Sequence, residues 1–351
     1  MTEVAHVRVS AAQARSAREW HLVRRPRAQA SPEDFVLVEA GVPDPGPGQV
    51  MIRNTHLSVD PYMRGRMDDR PSYIAPFPLH APLEGAAVGV VVESRAAGVE
   101  AGQVVEHFAG LREVAVVDAA AVSVVDVDGI PAEAYLGPLG ATGLSAWLGM
   151  SELAAVRADD TVFVTGAAGA VGSIAGQIAR LRGAGRVIGS AGTDAKVRQL
   201  REVFGFDAAF NYRDGDVRGH LEAAAPDGVD VVFDNVGGAQ LEAAVDRLRV
   251  GSRLALCGMA SQYDGQEPYG VRNLYELVMK RATAYGFLVT DHLHRIPDFR
   301  AEMGPWLRTG RIVHHQSVLD GIERVPDALL GLLRSGTSIT GKAIIRPEAR
   351  P

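Results

Sequence analysis

The chain has 351 residues, enough for two domains of ordinary size, and its 47% hydrophobic and 22% charged residues are typical of a globular protein. The formal net charge of −6 excludes a basic field over the whole chain of the kind that binds nucleic acid or anionic lipid. Cys257 is the only cysteine, which excludes an internal disulfide and a cysteine-rich zinc site, so we expect a reducing, cytoplasmic location.

We expect no export or membrane segment. Residues 1–19 mix polar, charged and small side chains without an apolar stretch, and no run approaches the roughly 18 apolar residues that cross a bilayer. We therefore interpret residues 1–16 as a flexible tail.

The first part of the chain is predicted to be a small all-β unit. Residues 43–48 (Pro-Asp-Pro-Gly-Pro-Gly) form a rigid turn that leads into a strand over 49–55. The run 85–93 consists almost entirely of Val, Ala and Gly, which is typical of a buried strand that passes close to another backbone. Two further strands are predicted over 114–117 and 121–125.

After Pro138, apolar strands alternate with helical patterns. Six strands are predicted over 161–165, 186–189, 208–211, 229–233, 253–256 and 283–287, with helices over 171–181, 194–204, 217–224, 239–248 and 273–281. This alternation predicts an α/β fold with a doubly wound parallel sheet. A helix over 325–333 and a strand over 342–346 are expected to return to the β-rich unit. The predicted domains are a substrate domain of residues 17–140 and 315–351, and a nucleotide-binding domain of residues 141–314.

One glycine-rich turn carries the strongest functional signal. Residues 161–172 combine a strand with the pattern Ala-x-Gly-x-x-Gly, in which Gly169 allows a pyrophosphate to approach and Gly172 lets the helix lie against the sheet. The helix start supplies free N–H groups for the phosphates. Such glycines often serve packing alone, but their place between a strand and a helix in this alternation favours dinucleotide binding.

The choice of cofactor follows from a missing acid. An NAD site uses a carboxylate at the tip of the second strand to hold the ribose 2′-hydroxyl, whereas this chain has Gly-Ser-Ala-Gly at 189–192. Lys196 follows within one helical turn and could meet a 2′-phosphate, although most lysines are simply solvated. Together these features favour NADP(H). We expect Asp194 to cap its helix.

The sequence also lacks the ligands of a catalytic zinc. Cys257 stands alone at the end of a predicted strand, and no cysteine accompanies His56 or His80. The pairs His292 with His294 and His314 with His315 are more readily interpreted as surface or supporting residues. We therefore predict a metal-independent enzyme that polarises its substrate through hydrogen bonds.

Several segments resemble the zinc-independent medium-chain dehydrogenase/reductases. They are Val-Asp-Pro-Tyr-Met-Arg-Gly-Arg-Met at 59–67, the turn at 166–172, Phe-Asp-Asn-Val-Gly-Gly at 233–238 and Gly-Phe-Leu-Val at 286–289. Within that family the chain is most similar to prostaglandin reductases, plant alkenal double-bond reductases and bacterial curcumin reductases, from Trp20 to Ile345. The resemblance implies a GroES-like domain with a Rossmann domain, usually as a homodimer. It also implies NADPH-dependent reduction of the carbon–carbon double bond of α,β-unsaturated ketones and aldehydes.

The resemblance also implies roles for particular residues. The pyrophosphate would be held by Gly169, Ala170, Val171 and Gly172. Ser190, Lys196 and Tyr212 would lie at the 2′-phosphate end. The remaining cofactor surface would be lined by Asn235, Cys257, Gly258, Met259, Phe287, Leu288 and Val289.

Two tyrosines are the candidate catalytic residues. Tyr263 matches the family tyrosine beside the substrate carbonyl, where its phenol could donate to the oxygen that becomes an enolate. Tyr62 would border the same pocket, but a packing role for it is equally compatible with the sequence. No chemistry is assigned to Arg64 or Arg66.

The chain departs from the family pattern at two places. Ala141 replaces a methionine that is common in the family, which would reshape the pocket, and Ser338 stands near the position of a usual asparagine. Two alternatives to an enone reductase stay open at this stage. They are an NADPH quinone reductase and an NADPH-binding protein without catalytic activity.

Overall fold

The computed structural model describes residues 15–265, 267–334 and 339–347. Most of the predicted tail 1–16 lies outside the described residues, but Ser16 is ordered and begins the first strand. Within the described residues no helix is both long and apolar enough to cross a membrane.

The N-terminal part is β-rich, as predicted. Strands β1 (Ser16–Leu22) and β2 (Phe35–Gly41) pair with each other in an antiparallel sheet. There follow β3 (Gln49–Ser58), the short helix α1 (Tyr62–Arg66), β4 (Ala87–Ser94), β5 (Val104–His107), β6 (Val114–Asp118) and β7 (Ser123–Val124). The strand predicted over 121–125 is wrong at its start, because Ala119–Ala121 forms a 3-10 turn closed by the Val122 amide. The sequence analysis missed β1, β2, β5 and α1.

The close backbone approach expected in the run 85–93 is present at Gly89 of β4. A Cβ atom on Gly89 would lie 2.5 Å from the carbonyl oxygen of Arg53 in β3. Such a distance is shorter than real contacts allow, so only glycine permits β3 and β4 to pair at this point.

The second part is a doubly wound α/β unit, which confirms the predicted fold class. Its strands are β8 (Thr161–Val164), β9 (Arg186–Ala191), β10 (Ala208–Asn211), β11 (Val229–Asp234), β12 (Leu248–Leu256) and β13 (Thr283–Gly286). They form one parallel sheet in the order β10-β9-β8-β11-β12-β13. The strand order reverses between β8 and β11, and open sheets of this type bind ligands at that point, beyond the carboxyl ends of the strands.

Helices cover both faces of this sheet. They are α2 (Ala141–Leu148), α3 (Gly172–Leu181), α4 (Asp194–Glu202), α5 (Val217–Ala224), α6 (Gly238–Asp246), α7 (Tyr275–Lys280) and α8 (Ile296–Arg308). The predicted helices over 171–181, 194–204, 217–224, 239–248 and 273–281 are all present, with shifts of one or two residues at their ends. Helices α2 and α8 were not predicted.

The chain then returns to the β-rich unit. Strand β14 (Gln316–Asp320), helix α9 (Val325–Leu333) and strand β15 (Lys342–Arg346) follow α8, and β15 pairs antiparallel with β3. The resulting seven-stranded sheet has the order β14-β15-β3-β4-β5-β7, with β6 paired to β3. The predicted return of the C-terminal segment is therefore confirmed. The exact domain boundaries stay a prediction.

The two units share a core and several polar links. Val88 of β4 and Ile344 of β15 belong to the same buried apolar cluster as Phe233 of β11. On one side of the molecule Arg300 of α8 donates to the carboxylate of Glu106 in β5, at 2.7 and 2.8 Å. The relative position of the two sheets is thus set by packing and by an ion pair.

A buried histidine supports the β-rich unit. The Asn54 side-chain amide donates to the Arg112 carbonyl (2.8 Å), which leaves the Asn54 carbonyl oxygen to accept from His107 Nε2 (2.8 Å). The amide of Ala109 donates to His107 Nδ1 (3.1 Å), so this nitrogen must be unprotonated. Burial, and secondarily the Arg112 guanidinium, lower the pKa of His107 to about 4.

This geometry predicts a loss of stability in mild acid. Between the ordinary histidine pKa of 6.5 and about 4, the unfolded chain binds a proton at His107 and the folded chain does not. Stability therefore falls as the pH falls through this window, by up to about 1.4 kcal/mol per pH unit from this residue. The free energy of unfolding, measured with urea, should fall less between about pH 7 and about pH 5 for His107→Gln than for wild type. The control His294→Gln, at an exposed histidine, should show the same fall in unfolding free energy as wild type. A fall as large as that of wild type in His107→Gln would refute the assignment.

Candidate active site

The structure brings the predicted cofactor residues to one edge of the parallel sheet. Each group follows or ends a different strand at its carboxyl end: 169–172 after β8, Ser190 in β9, Tyr212 after β10, Asn235 after β11, 257–259 after β12 and 287–289 after β13. This edge is where a doubly wound sheet binds its ligand. Tyr263 lies in the loop after β12, and Tyr62 comes from α1 of the β-rich unit.

The turn after β8 has the geometry of a phosphate cradle. Gly172 is buried, and a Cβ there would lie 2.5 Å from the Gly166 carbonyl oxygen, so the turn closes only on glycine. Gly169 is exposed, and a Cβ on it would contact only the Gly166 oxygen, at 3.3 Å. Among the described residues the amide of Val171, just before α3, has no hydrogen-bond acceptor, whereas the amide of Ala170 faces the Gly341 carbonyl in the bridge between Gly169 and Gly341. Free N–H groups at a helix start are what a pyrophosphate requires.

Two cations lie at the end of the edge where the sequence predicts a 2′-phosphate site. Lys196 is half-buried, and burial, followed by the neighbouring Arg213, lowers its pKa. Tyr212 lies alongside, since its hydroxyl oxygen would be 2.9 Å from a Cβ on Gly192. Arg213 was missed in the sequence analysis, although it directly follows Tyr212. The exposed Asp194 carboxylate accepts a hydrogen bond from the Asn211 side chain (2.9 Å).

Two sequence expectations at this end need revision. The helix cap is Thr193, whose hydroxyl accepts from the Lys196 amide (3.3 Å), whereas Asp194 is the first helical residue; the expectation of an Asp194 cap is wrong. Ser190 is fully buried, and its hydroxyl donates to Gln240 (2.5 Å) while its carbonyl accepts from the Ala167 amide (2.9 Å). Its side chain therefore supports the turn and presents no exposed atom to a ligand.

Asn235 is held by Thr165, whose hydroxyl is bound to the buried Asp234 carboxylate at the end of β11. The Thr165 hydroxyl donates to Asp234 Oδ1 (2.6 Å), and the Gly237 amide donates to Oδ2 (2.9 Å). Asn235 in turn donates its side-chain amide to the Thr165 carbonyl (2.8 Å). Burial raises the pKa of Asp234. These bonds orient the turn that carries the Asn-Val-Gly-Gly sequence along the β8–β11 junction.

The segment after β12 places a protonated tyrosine beside the edge. The Tyr263 hydroxyl oxygen accepts from the Met259 amide (3.3 Å) and lies 3.3 Å from the position of a Cβ on Gly258. Burial raises the pKa of Tyr263, so the phenol keeps its proton at neutral pH and can donate a hydrogen bond. Burial also raises the pKa of the nearby Cys257 thiol to about 12, which leaves it a neutral lining group.

The β-rich unit contributes two further tyrosines to this region. The Tyr62 hydroxyl is buried and has no hydrogen-bond partner among the described residues, and burial strongly raises its pKa. Tyr73 lies within electrostatic range of both Tyr62 and Tyr263, and its pKa is raised by burial and then by Tyr263. Sequence reasoning missed Tyr73, because only the fold brings its loop opposite β12. Burial therefore raises the pKa of all three phenols, Tyr62, Tyr73 and Tyr263.

The remaining predicted positions have less distinct surroundings. Phe287, Leu288 and Val289 are half-buried, and Phe287 and Val289 pack against the main core cluster. Ala141 is the exposed first residue of α2. Ser338 lies outside the described residues.

The histidines considered as zinc ligands are dispersed. Nε2 of His56 lies 3.9 Å from the Glu133 carboxylate, and burial lowers the pKa of both His56 and His314. His80 is exposed, and the His292 and His294 rings lie 6.2 Å apart between centroids, tilted by 31°. In the part of the chain that the structure describes, no three His, Cys, Asp or Glu side chains are arranged to hold a metal ion.

This combination of a parallel sheet, an open phosphate turn and a facing β-rich unit defines a dinucleotide-dependent oxidoreductase, and comparison with known proteins specifies its family. A family model described as the N-terminal domain of oxidoreductase matches residues 18–125, and one described as zinc-binding dehydrogenase matches residues 170–307. A 2-alkenal reductase (NADP(+)-dependent) of Nicotiana tabacum is 38% identical over 88% of this chain and 90% of that protein.

Two bacterial proteins are similar over almost the whole length. The NADPH-dependent curcumin reductase of Escherichia coli (strain K12) is 36% identical over 94% of this chain and 96% of that protein. The crystal structure of CurA from Vibrio vulnificus in complex with NADPH superposes with a TM-score of 0.89 at 33% identity, over 95% of this chain and 100% of that one. The chain belongs to the medium-chain dehydrogenase/reductase family, as its motifs predict.

Proposed function

We propose that this protein is an NADPH-dependent reductase of the carbon–carbon double bond in α,β-unsaturated ketones and aldehydes, and that it works without a metal. The observation that carries the proposal is the protonated Tyr263 hydroxyl, half-buried at the carboxyl edge of the sheet beside the segment 257–259. The names of the similar proteins, an alkenal reductase and a curcumin reductase that use NADP, support the same reaction class.

The residues present fit NADPH. The free amide of Val171, the neighbouring Ala170 and the glycines 169 and 172 would hold the pyrophosphate. Lys196 and Tyr212, with Arg213 added, would hold the 2′-phosphate. The rest of the cofactor would lie along Asn235, Cys257, Gly258, Met259, Phe287, Leu288 and Val289. Ser190 is assigned an indirect role, because its hydroxyl is already bound to Gln240.

The tyrosines would serve the substrate. NADPH, when bound, supplies the hydride that adds to the β-carbon of the substrate. Negative charge then develops on the carbonyl oxygen, and Tyr263 would donate a hydrogen bond to it. Tyr62 would border the pocket with a buried hydroxyl that has no partner among the residues that the structure describes. A substrate oxygen could satisfy this hydroxyl, because buried polar groups are costly when unpaired.

The role of Tyr263 is tested by removing one oxygen. Tyr263→Phe should lower kcat for enone reduction by about 100-fold, because a donor to the developing oxyanion is lost, while NADPH affinity stays within about twofold. Turnover is measured by NADPH oxidation over a panel of enals, cyclic enones, curcumin-like dienones and quinones.

Tyr269→Phe is the matched control, since that phenol is engaged with Arg272 (3.2 Å) and Glu242, and its removal should leave kcat unchanged. Full enone turnover in Tyr263→Phe would remove the proposed role. Turnover of quinones alone would favour the quinone reductase alternative, and tight NADPH binding with no turnover would favour a non-catalytic protein.

The cofactor preference is tested at Lys196. Lys196→Ala should weaken NADPH binding by about tenfold or more, since a charged hydrogen bond to the 2′-phosphate is lost, and NADH binding by less than about twofold. Dissociation constants from nucleotide fluorescence give both numbers. Lys280→Ala, on α7 away from this end, should change neither; an equal loss for the two nucleotides in Lys196→Ala would contradict the assignment.

We also propose that the protein forms a homodimer through the β13 edge. All four residues of β13 are exposed, and this strand pairs on one side only, with β12. Exposed apolar side chains surround it: Val250, Leu274, Tyr275, Val278, Met279 and Tyr285. An edge strand within an apolar patch suits pairing with a second copy about a two-fold axis, because the same patch then meets itself. The cytoplasmic location expected from the single cysteine stays a prediction.

The dimer is tested by placing a charge in that patch. Val278 is 67% exposed, and Val278→Glu should convert the dimer to a monomer in light scattering coupled to gel filtration, because a carboxylate would be buried at the interface. Val203→Glu, at the end of α4, should stay dimeric. A monomeric wild type, or a dimeric Val278→Glu, would refute this interface.

A further inference from the structure

A buried ion pair joins the two units beside Tyr263. Nε of Arg64, in helix α1 of the β-rich unit, donates to Oδ1 of Asp264 (2.9 Å), in the loop after β12. The two residues are 200 positions apart in the chain, and their exposed fractions are only 6% and 5%. Neither residue was given a function by the motifs that contain it.

The Arg64 guanidinium is bound on three sides. Its Nη1 donates to the Asp68 carboxylate (2.7 Å), and its Nη2 donates to the Ala28 carbonyl (2.7 Å). The planar fork thus reaches three acceptors that belong to three different segments. A lysine could place its single ammonium near only part of this set.

The Asp264 loop is seated on the backbone of residues 28–30. Oδ1 of Asp264 also accepts from the Ala30 amide (2.7 Å). Asp264 and Gly265 both have positive φ values, 57° and 73°, and a Cβ on Gly265 would lie 2.9 Å from the Ala28 carbonyl oxygen. The left-handed backbone therefore turns the chain directly onto the β-rich unit at this point.

Tyr263 immediately precedes this anchor and has only long bonds of its own. Its hydroxyl oxygen accepts from the Met259 amide at 3.3 Å, and its amide donates to the Ala260 carbonyl at 3.4 Å. The Asp264 bonds, at 2.7 and 2.9 Å, are shorter and charge-assisted. The position of Tyr263 across the cleft is therefore set chiefly by its neighbour. Helix α1 also carries Tyr62, two residues before Arg64.

We propose that Arg64 and Asp264 are positioning residues for the reduction, which hold Tyr263 at a fixed place relative to Tyr62 and to the carboxyl edge of the sheet. This inference rests on the proposed function. In a purely structural role, the pair would affect turnover whether or not the Tyr263 hydroxyl is present. In the role proposed here, its effect on turnover depends on that hydroxyl.

The kinetic test is a double-mutant cycle in the full-length protein. Asp264→Asn, which has the same shape, and Arg64→Lys should each lower kcat for enone reduction on the order of tenfold, with KM for NADPH within about twofold. In the Tyr263→Phe background the same substitutions should lower kcat by less than about twofold further, because the group they position is gone.

A second readout does not depend on activity. In the cofactor-free protein, hydrogen exchange measured by mass spectrometry should speed up in the peptide 257–265 of Asp264→Asn, since the Met259 amide is held by Tyr263. Glu106→Gln is the matched control, because Glu106 with Arg300 is another ion pair between the two units. It should change neither kcat nor the exchange of this peptide.

The outcomes separate the two proposals. If Tyr263→Phe keeps full turnover, the proposed function fails at that residue whatever Asp264 does. If Tyr263→Phe is impaired but Asp264→Asn is not, or if the losses in kcat multiply in the double variant, the positioning role is overturned. An equal kcat loss in Glu106→Gln would likewise assign the effect to general loosening between the units. The proposal requires that Arg64→Lys and Asp264→Asn each lower kcat and each speed up hydrogen exchange in the peptide 257–265.

Discussion

The cleft of this protein is organised around a backbone contact between the phosphate turn and the segment that leads into β15. The amide of Gly341 donates to the carbonyl of Ala168 in the phosphate turn (2.8 Å). The next residue, Lys342, is almost fully buried, and its ammonium donates to the Val59 carbonyl (2.9 Å) and the Asp60 carboxylate (2.8 Å). A buried ammonium persists only when it is paired, so this path from the turn to Asp60 is rigid. It places Tyr62, two residues further on, relative to the turn.

Charge is distributed unevenly along the edge of the parallel sheet. Cations gather at the Lys196 end, where burial, followed by Arg213, lowers the Lys196 pKa. At the other end burial raises the pKa of Tyr62, Tyr263 and Cys257, so these groups are neutral. One end therefore suits a phosphate dianion, and the other can stabilise a negative charge that appears only during reaction.

The sequence was informative where structure is local. Strand and helix alternation and the glycine turn depend on neighbours in the chain, so the parallel sheet, its six strands and its functional edge could be predicted. Strands β1, β2, β5 and β14 were missed because their burial depends on distant partners. The same limit hid Tyr73 and the pairing of Arg64 with Asp264. Thr193, and not Asp194, caps α4 because the backbone is extended at Thr193 and already helical at Asp194. Ser190 was predicted to contact the cofactor, but only the fold shows that its hydroxyl is bound to Gln240.

The central claim, reduction of a carbon–carbon double bond by hydride transfer to the β-carbon, is tested most directly by isotope transfer. NADPH deuterated at C4 of its nicotinamide would be incubated with the protein and an α,β-unsaturated ketone, and the product would be examined by NMR. The account predicts a saturated ketone with deuterium at the former β-carbon. Deuterium on the carbinol carbon of an allylic alcohol, or an enone left unconsumed while a quinone is reduced, would contradict it.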